Sequence, residues 1–391
     1  MKTSTAKKIA SLLLAAVMIL GVFAGCGNTS AGTEAGNDVE HKGTIMWLSS
    51  LTAGFSYERS VAYAENFLGE LGYDFKVVYA DMTNDPNANL NAVRNAMTKD
   101  VVGLITTVDG GIVNIMEEYP DLFVVGYNSD LRMIYEEGSP ATALQENEKY
   151  LGTMCDVPYD GALTGQQMMD VVVEKGYTKI ATTAFPGFAY PNLQVADATF
   201  RALVEEYNKT ADKPIEIVGE QKLLQFAPLE ESWFLEEGNN ELEAIVCFCS
   251  GVEFVYPTLK SAIANGSASA DTKLITGGFS IEESVLADIG GDGVIQYVYM
   301  TATENFGLPL ELLVRAIEGR MYDDFVAQRI NSVNYVMETP EDVDAVMTKG
   351  FSGSGDLSLI QVSNDEIHAA ESFAELLELF ASEKLTVDAI K

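Results

Sequence analysis

From residue 44 to about residue 299 short apolar runs alternate with amphipathic helical stretches, and this alternation leaves very few folds open. Residues 44–49 read as a strand, and 57–71 as a helix with Val61, Ala64, Leu68 and Leu71 on one face. Gly72 ends that helix. A strand at 75–79, a helix at 87–99 aligning Leu90, Val93 and Met97, a strand at 101–106, a helix at 112–118 and a strand at 122–125 follow. Strands that are apolar nearly throughout must be covered on both faces, which predicts a parallel sheet wrapped by helices. After a polar stretch at 130–150 the pattern restarts with a strand at 151–157 and a helix at 164–174, and Lys175-Gly176-Tyr177 repeats Leu71-Gly72-Tyr73. Further strands fall at 179–183, 215–218, 244–249, 274–277 and 294–299.

The expected fold class is therefore α/β, with two doubly wound parallel-sheet lobes joined by hinge crossovers. A helix at 304–318 and an apolar segment at 331–337 come too late to begin a third domain and read as extra connections. The expected division is 44–130 plus 302–330 for the N-terminal lobe, and 131–301 plus 331–391 for the C-terminal lobe. The latter ends in an acidic tail with helical patterns at 341–348 and 365–383 around Ser352-Gly353-Ser354-Gly355. The tail's role is not legible in the sequence.

Residues 1–25 read as a signal peptide: Lys2, Lys7 and Lys8 precede an apolar run of about 15 residues, short of the ~20 that span a bilayer. Phe23-Ala24-Gly25-Cys26 resembles the bacterial lipobox, which implies lipidation of Cys26 and anchoring by acyl chains; secretion with an incidental cysteine is the alternative. Residues 26–43, rich in Gly, Ser, Thr, Asn and acid, read as a flexible tether. The expected location is the outer face of the bacterial cytoplasmic membrane.

Charge and composition exclude several functions. Fifty-eight Asp and Glu against 24 Lys and Arg give a net charge of −34, which repels a nucleic-acid backbone. With only His41 and His368 available, neither a histidine triad nor a multi-histidine metal site can be assembled. Beyond Cys26 an odd set remains, Cys155, Cys247 and Cys249, which argues against a disulfide framework. Cys247 and Cys249 share a strand face; a metal or redox pair and buried apolar thiols are both open readings. No nucleophile elbow, phosphate loop or calcium-loop spacing occurs, and Gly290-Gly291-Asp292-Gly293 reads as a turn. Neither an enzyme nor a cofactor or metal is expected.

The lipobox, the tether, the two lobes and Gly126-Tyr127-Asn128-Ser129 as a hinge after the fourth strand together resemble the type I periplasmic binding proteins, the ribose-binding-like receptors of ABC transporters. Ser50-Leu51-Thr52-Ala53-Gly54-Phe55-Ser56-Tyr57 is similar to that family's first loop, and Thr276-Gly277-Gly278-Phe279-Ser280 to its second-lobe corner. The resemblance spans about residues 44–337. It implies a monomer that closes its lobes on a small solute and hands it to a permease. A lipoprotein sensing for a kinase or chemoreceptor is the alternative, and a secreted hydrolase a remote one.

Ligands of open parallel sheets bind beyond the carboxyl ends of the strands. That edge predicts contacts from Phe55, Ser56, Tyr57, Thr107, Asp109, Asn128 and Ser129 in the first lobe. In the second it predicts Phe185, Phe188, Tyr190, Ser250, Glu253, Phe279, Ser280, Thr301 and Glu304. Rings beside hydroxyls and amides suit a planar or pyranose-like solute, and packing is the alternative for each ring. Asp109 has capping of the following helix as its alternative. Sugar-binding members carry an Asp-Arg pair where Asn128-Ser129 stands, and an Asn and an Asp where Ser250 and Ser280 stand. A nucleoside-type solute therefore stays open beside a sugar, and the acidic surface favours a neutral or weakly cationic one.

Overall fold

Both faces of the first sheet are buried, and the side chains of its central strand show how. In β1 (Gly43–Ser49) Ile45 and Trp47 enter one apolar core while Met46 and Leu48 enter another on the opposite face. The computed structural model describes residues 40–391 apart from 51, 53, 54, 82, 83, 156, 157, 188, 189, 278–282, 351–361 and 382–385. The expected signal peptide, Cys26 and most of the tether lie outside the described residues, as do Phe188, Phe279, Ser280 and the loop 352–355. Among the described residues no helix is long and apolar enough to cross a membrane.

After β1 come α1 (Phe55–Glu70), β2 (Tyr73–Tyr79), α2 (Pro86–Ala96), β3 (Val101–Thr106), α3 (Ile112–Glu118), β4 (Phe123–Tyr127), α4 (Arg132–Tyr135), a 3-10 turn (Pro140–Glu146) and β5 (Tyr150–Cys155). Then follow α5 (Gly161–Lys175), β6 (Lys179–Ala184), α6 (Pro191–Asn208), β7 (Glu216–Ile217), β8 (Lys222–Leu223), β9 (Ala244–Cys247), α7 (Gly251–Phe254), α8 (Tyr256–Asn265), β10 (Lys273–Gly277), α9 (Glu283–Leu286) and β11 (Ile295–Thr301). A 3-10 turn (Thr303–Phe306) leads into α10 (Gly307–Ile317), β12 (Arg329–Asn331), β13 (Asn334–Met337), α11 (Pro340–Ala345), α12 (Asn364–Ala369), α13 (Phe373–Ala381) and α14 (Val387–Ile390).

The first sheet runs β12-β5-β4-β3-β1-β2, parallel throughout. The second runs β13-β11-β10-β9-β6-β7, with β8 also on β6 and only β13 antiparallel. Two doubly wound lobes are thus present. The echo of Leu71-Gly72-Tyr73 in Lys175-Gly176-Tyr177 has a shared cause: Gly72 (φ 88) and Gly176 (φ 75) both end a helix in the left-handed region, which costs glycine little.

Two expectations fail on topology. The strand expected to open the second lobe is β5, which completes the first sheet between β4 and β12. Consequently Gly126-Tyr127-Asn128-Ser129 is no interlobe hinge: Gly126 and Tyr127 belong to β4, and the chain stays in the first lobe through β5. The polar stretch before β5 also belongs to the first lobe, because Leu131, Ile134, Ala141 and Leu144 fill its core. The tail does not sit on the second lobe alone, since Ile367, Phe373, Leu376 and Phe380 enter the first lobe's core with Trp47.

One carboxylate ties the amino end of β6 to the approach to β9. Glu243 accepts from the backbone N–H groups of Thr178 and Lys179 and from the Thr178 hydroxyl. The Thr178 backbone bond, more than any other contact, holds its carboxyl below the usual range. A depressed folded pKa stabilises fully above the unfolded value of about 4.3, and that stabilisation disappears as pH falls through the folded value. Glu243→Gln is therefore expected to flatten the acid limb of stability. Urea midpoints measured from neutral pH down into that window check it; an unchanged acid limb would contradict the assignment.

Candidate functional site

Three links run from one sheet to the other, and all of them meet the sheets at strand carboxyl ends. The chain leaves the first sheet after Cys155 of β5, returns from the second after Thr301 of β11, and leaves again after Asn331 of β12. Because β13 is antiparallel, its first residue Asn334 lies opposite Thr301 at that same edge. Backbone bonds bind the links together: Ser332 N donates to Cys155 O (3.1 Å) and Ala302 N to Val333 O (3.2 Å). Asn305 completes the knot, its amide Nδ2 donating to Val333 O (2.6 Å) and its Oδ1 accepting from Val333 N (3.2 Å). The carboxyl edges of both sheets therefore border the junction, where loops and helix starts offer unpaired backbone groups.

On the first lobe this edge is a network of short polar side chains. Thr107 is buried and internally committed: its Oγ1 donates to Leu48 O (3.2 Å) and accepts from Ser50 N (2.7 Å), which locks the β1 and β3 loops together. Asp109 does not cap the helix that follows it. Its carboxylate accepts from Asn84 Nδ2 (2.7 Å) and from Met133 N of α4 (2.9 Å), so it fastens three loops at once. Ser129 accepts from Thr153 Oγ1 through its carbonyl (2.5 Å) and from Leu131 N through its hydroxyl (3.2 Å). Between them Asn128 adopts φ 53, and its Oδ1 is buried without a hydrogen-bond partner among the described residues. A buried acceptor left unpaired costs about 1–3 kcal/mol, so a donor arriving there gains more than one arriving at a satisfied group.

Asp130, beside this group, has its carboxyl pushed up by burial and by the Asp109 charge, against the pull of Arg329. At the other side of the edge Tyr57 stacks on Trp47 (5.8 Å, 25°) and its hydroxyl lies 3.2 Å from that of Tyr79. Burial, then the Tyr79 contact, raises the Tyr57 hydroxyl to about 12, so it remains protonated at neutral pH. Phe55 and Ser56 begin α1 at this edge, and their side chains lie outside the description.

The second lobe contributes an aromatic group. Phe185, directly after β6, is only 3% exposed and lies beneath other rings: Phe226 stacks on it (5.1 Å, 9°), Phe254 meets it edge-on (5.0 Å) and Tyr190 is 5.4 Å away. Phe226 is the exposed member at 49%, and its φ of 55 is rare for a bulky residue. Ser250 is buried at φ 56 and its carbonyl accepts from Phe254 N (3.1 Å), so it shapes the start of α7, which also carries half-buried Glu253.

Thr301 and Glu304 belong to the junction itself. Thr301 ends β11 opposite Asn334. Glu304 is fully buried, and its Oε1 accepts from the Tyr335 hydroxyl of β13 (2.9 Å), which corrects the expectation that it faces a ligand. Burial and the Glu304 charge push the Tyr335 hydroxyl far up, which keeps it a donor.

The structure thus gathers Thr107, Asp109, Asn128 and Ser129 at one edge and Phe185 and Tyr190 at the other, while Glu304 lies inside the hinge. Sequence reading missed Tyr79, Asn84, Asp130 and above all Phe226. Phe226 follows a two-residue strand, too short to show any periodicity. Cys155, Cys247 and Cys249 are all buried, and burial raises the Cys247 thiol to about 11, the behaviour of small apolar side chains. Among the described residues no three His, Cys, Asp or Glu side chains converge as metal ligands would.

No protein-family model and no curated protein sequence matches the chain. Solved structures do. A galactofuranose binding protein superposes with a TM-score of 0.57 at 13% identity, over 78% of this chain and 98% of that one. A periplasmic ribose ABC transporter protein from Conexibacter woesei gives 0.56 at 16%, over 80% and 97%. A periplasmic binding ribose operon repressor protein from Lactobacillus acidophilus gives 0.51 at 13%, over 76% and 95%. At such identities the likeness concerns the fold.

Proposed function

Starting from a chain with the fold of the type I periplasmic binding proteins, we propose that it captures a small neutral or weakly charged solute, of sugar or nucleoside type, between its lobes. One observation carries this reading: every link from one sheet to the other leaves a carboxyl edge, so a solute held there can touch both lobes and favour their closed arrangement. The first lobe offers hydroxyl, amide and carboxylate groups around the unpaired Asn128 oxygen, and the second offers the face of Phe226. That combination suits a ring whose face is covered and whose rim carries donors. The similar structures include a periplasmic ribose ABC transporter protein and a galactofuranose binding protein, which supports a sugar-type solute without choosing one.

The solute would be handed unchanged to an ABC permease, with the chain held on the outer face of the cytoplasmic membrane through a lipid at Cys26. The net charge of −34 speaks against DNA binding of the kind a repressor needs. The test is a melting screen of the full chain against sugars, nucleosides, amino acids and polyamines. A solute at a hundred times its Kd stabilises by about 2.7 kcal/mol, a readily measured rise in Tm. Absence of any shift, together with turnover of a chromogenic hydrolase substrate, would overturn the reading.

Phe226→Ala gives a sharper check. Ring stacking is worth about 0.5–1.5 kcal/mol, so the variant is expected to bind the solute roughly two- to tenfold more weakly. Because the ring also covers Phe185, the unliganded Tm should fall modestly, and affinity is compared at a temperature where both chains are folded. Calorimetric titration reads the first quantity and thermal melting the second; unchanged affinity would remove Phe226 from the site.

A further inference from the structure

We propose that the C-terminal tail is a strap that ties the lobes together apart from the three crossovers and limits how far they open. After β13 the chain belongs to the second lobe, where Val343, Ala345 and Val346 of and after α11 are part of its core. It then returns to the first. Ile367 of α12 and Phe373, Leu376 and Phe380 of α13 enter the core built on Trp47 and Tyr63. This seat is fastened by polar contacts: Arg315 Nη2 donates to His368 O and Ala370 O (3.0 Å each), Asn364 Nδ2 to Glu70 Oε2 (3.0 Å) and Phe373 N to Asp324 Oδ1 (2.8 Å). His368 also lies against the Phe67 ring (4.8 Å).

Next the chain changes lobes once more. Val387 and Ile390 of α14 are buried in the second lobe's core, and Lys391 Nζ reaches the capping carboxylate Asp342 of α11 at 2.7 Å. Five Cα–Cα steps separate Ala381 from Thr386, so the two anchors can stand no more than about 18 Å apart in any arrangement of the lobes. Wider opening must pull apolar side chains out of one core, which hinge motion at the three crossovers alone does not require. An opening limit of this kind raises the share of binding-competent molecules before any solute arrives.

The test needs no solute, so its failure is separate from failure of the solute-binding reading. In a full-length chain carrying Cys26→Ser, spin labels are placed at exposed Asn87 of α2 and exposed Ala198 of α6 through Asn87→Cys and Ala198→Cys. The tail is then altered in two ways: ten Gly and Ser residues inserted after Ala381, which lengthen the strap and keep both anchors, or Val387→Asp with Ile390→Asp, which free one anchor. The expected result is a shift of the unliganded label distance to longer values, with a broader distribution, in both variants. Hydrogen exchange at residues 387–390 verifies that the anchor is kept in the first and lost in the second. A wild-type distance distribution in the folded insertion chain would overturn the strap, whatever the fate of the aspartate variant.

Discussion

Glu311→Ala is expected to lower the unfolding free energy by about 3–5 kcal/mol, because it strands a buried cation. The Glu311 carboxylate on α10 is fully buried and accepts from Arg315 Nε (2.5 Å) and from His368 Nδ1 (2.7 Å). The Arg315 side chain is itself only 11% exposed and lies 4.0 Å above the Tyr322 ring. Removing the carboxylate leaves that guanidinium without its counter-charge in a place water barely reaches. Equilibrium urea unfolding measures the loss. The double variant Glu311→Ala with Arg315→Met should recover much of it, since removing both charges also removes the stranded one. A loss below about 1 kcal/mol in the single variant would show the pair to be solvated.

Phe306→Ala should cost a similar amount, about 3–5 kcal/mol, for a different reason. The ring is completely buried, lies parallel to Tyr127 at 3.9 Å, and is 5.2 Å from Trp47 and 6.3 Å from Phe75. Truncation removes the burial of a large apolar group and leaves a cavity that rigid aromatic neighbours cannot collapse to fill. Because Phe306 sits in the turn just after the second crossover, the fluorescence of nearby Trp47 should change as well. Val326→Ala, at a side chain 64% exposed, is the control and should stay within about 0.5 kcal/mol of wild type. Comparable losses in the two variants would show that the stack at the hinge contributes little.

Most of the layered architecture could be read before any coordinates, because parallel strands buried on both faces leave continuous apolar runs such as Ile45 to Leu48. Lobe membership was harder to read. Between β4 and β5 the chain buries Leu131 ahead of one short helix, and Ile134, Ala141 and Leu144 from segments of four and seven residues, too short to display a helical period, so β5 reads as a fresh start. At the candidate site, local pattern located the loops but not the direction of their side chains. Phe185 and Glu304 proved to be interior because their burial depends on Phe226, Phe254 and Tyr335, residues 31 to 69 positions away along the chain. The tail was illegible for the same reason: the partners of His368 and Arg315 are set by tertiary packing between α10 and α12.

Closure on a solute is measured most directly by the label pair at positions 87 and 198, titrated with whichever compound raises the melting temperature. The separation should shorten and saturate over the same concentrations as the melting shift, with the compound recovered chemically intact. A separation that does not respond to a bound compound, or a compound recovered as a reaction product, would contradict capture between two closing lobes.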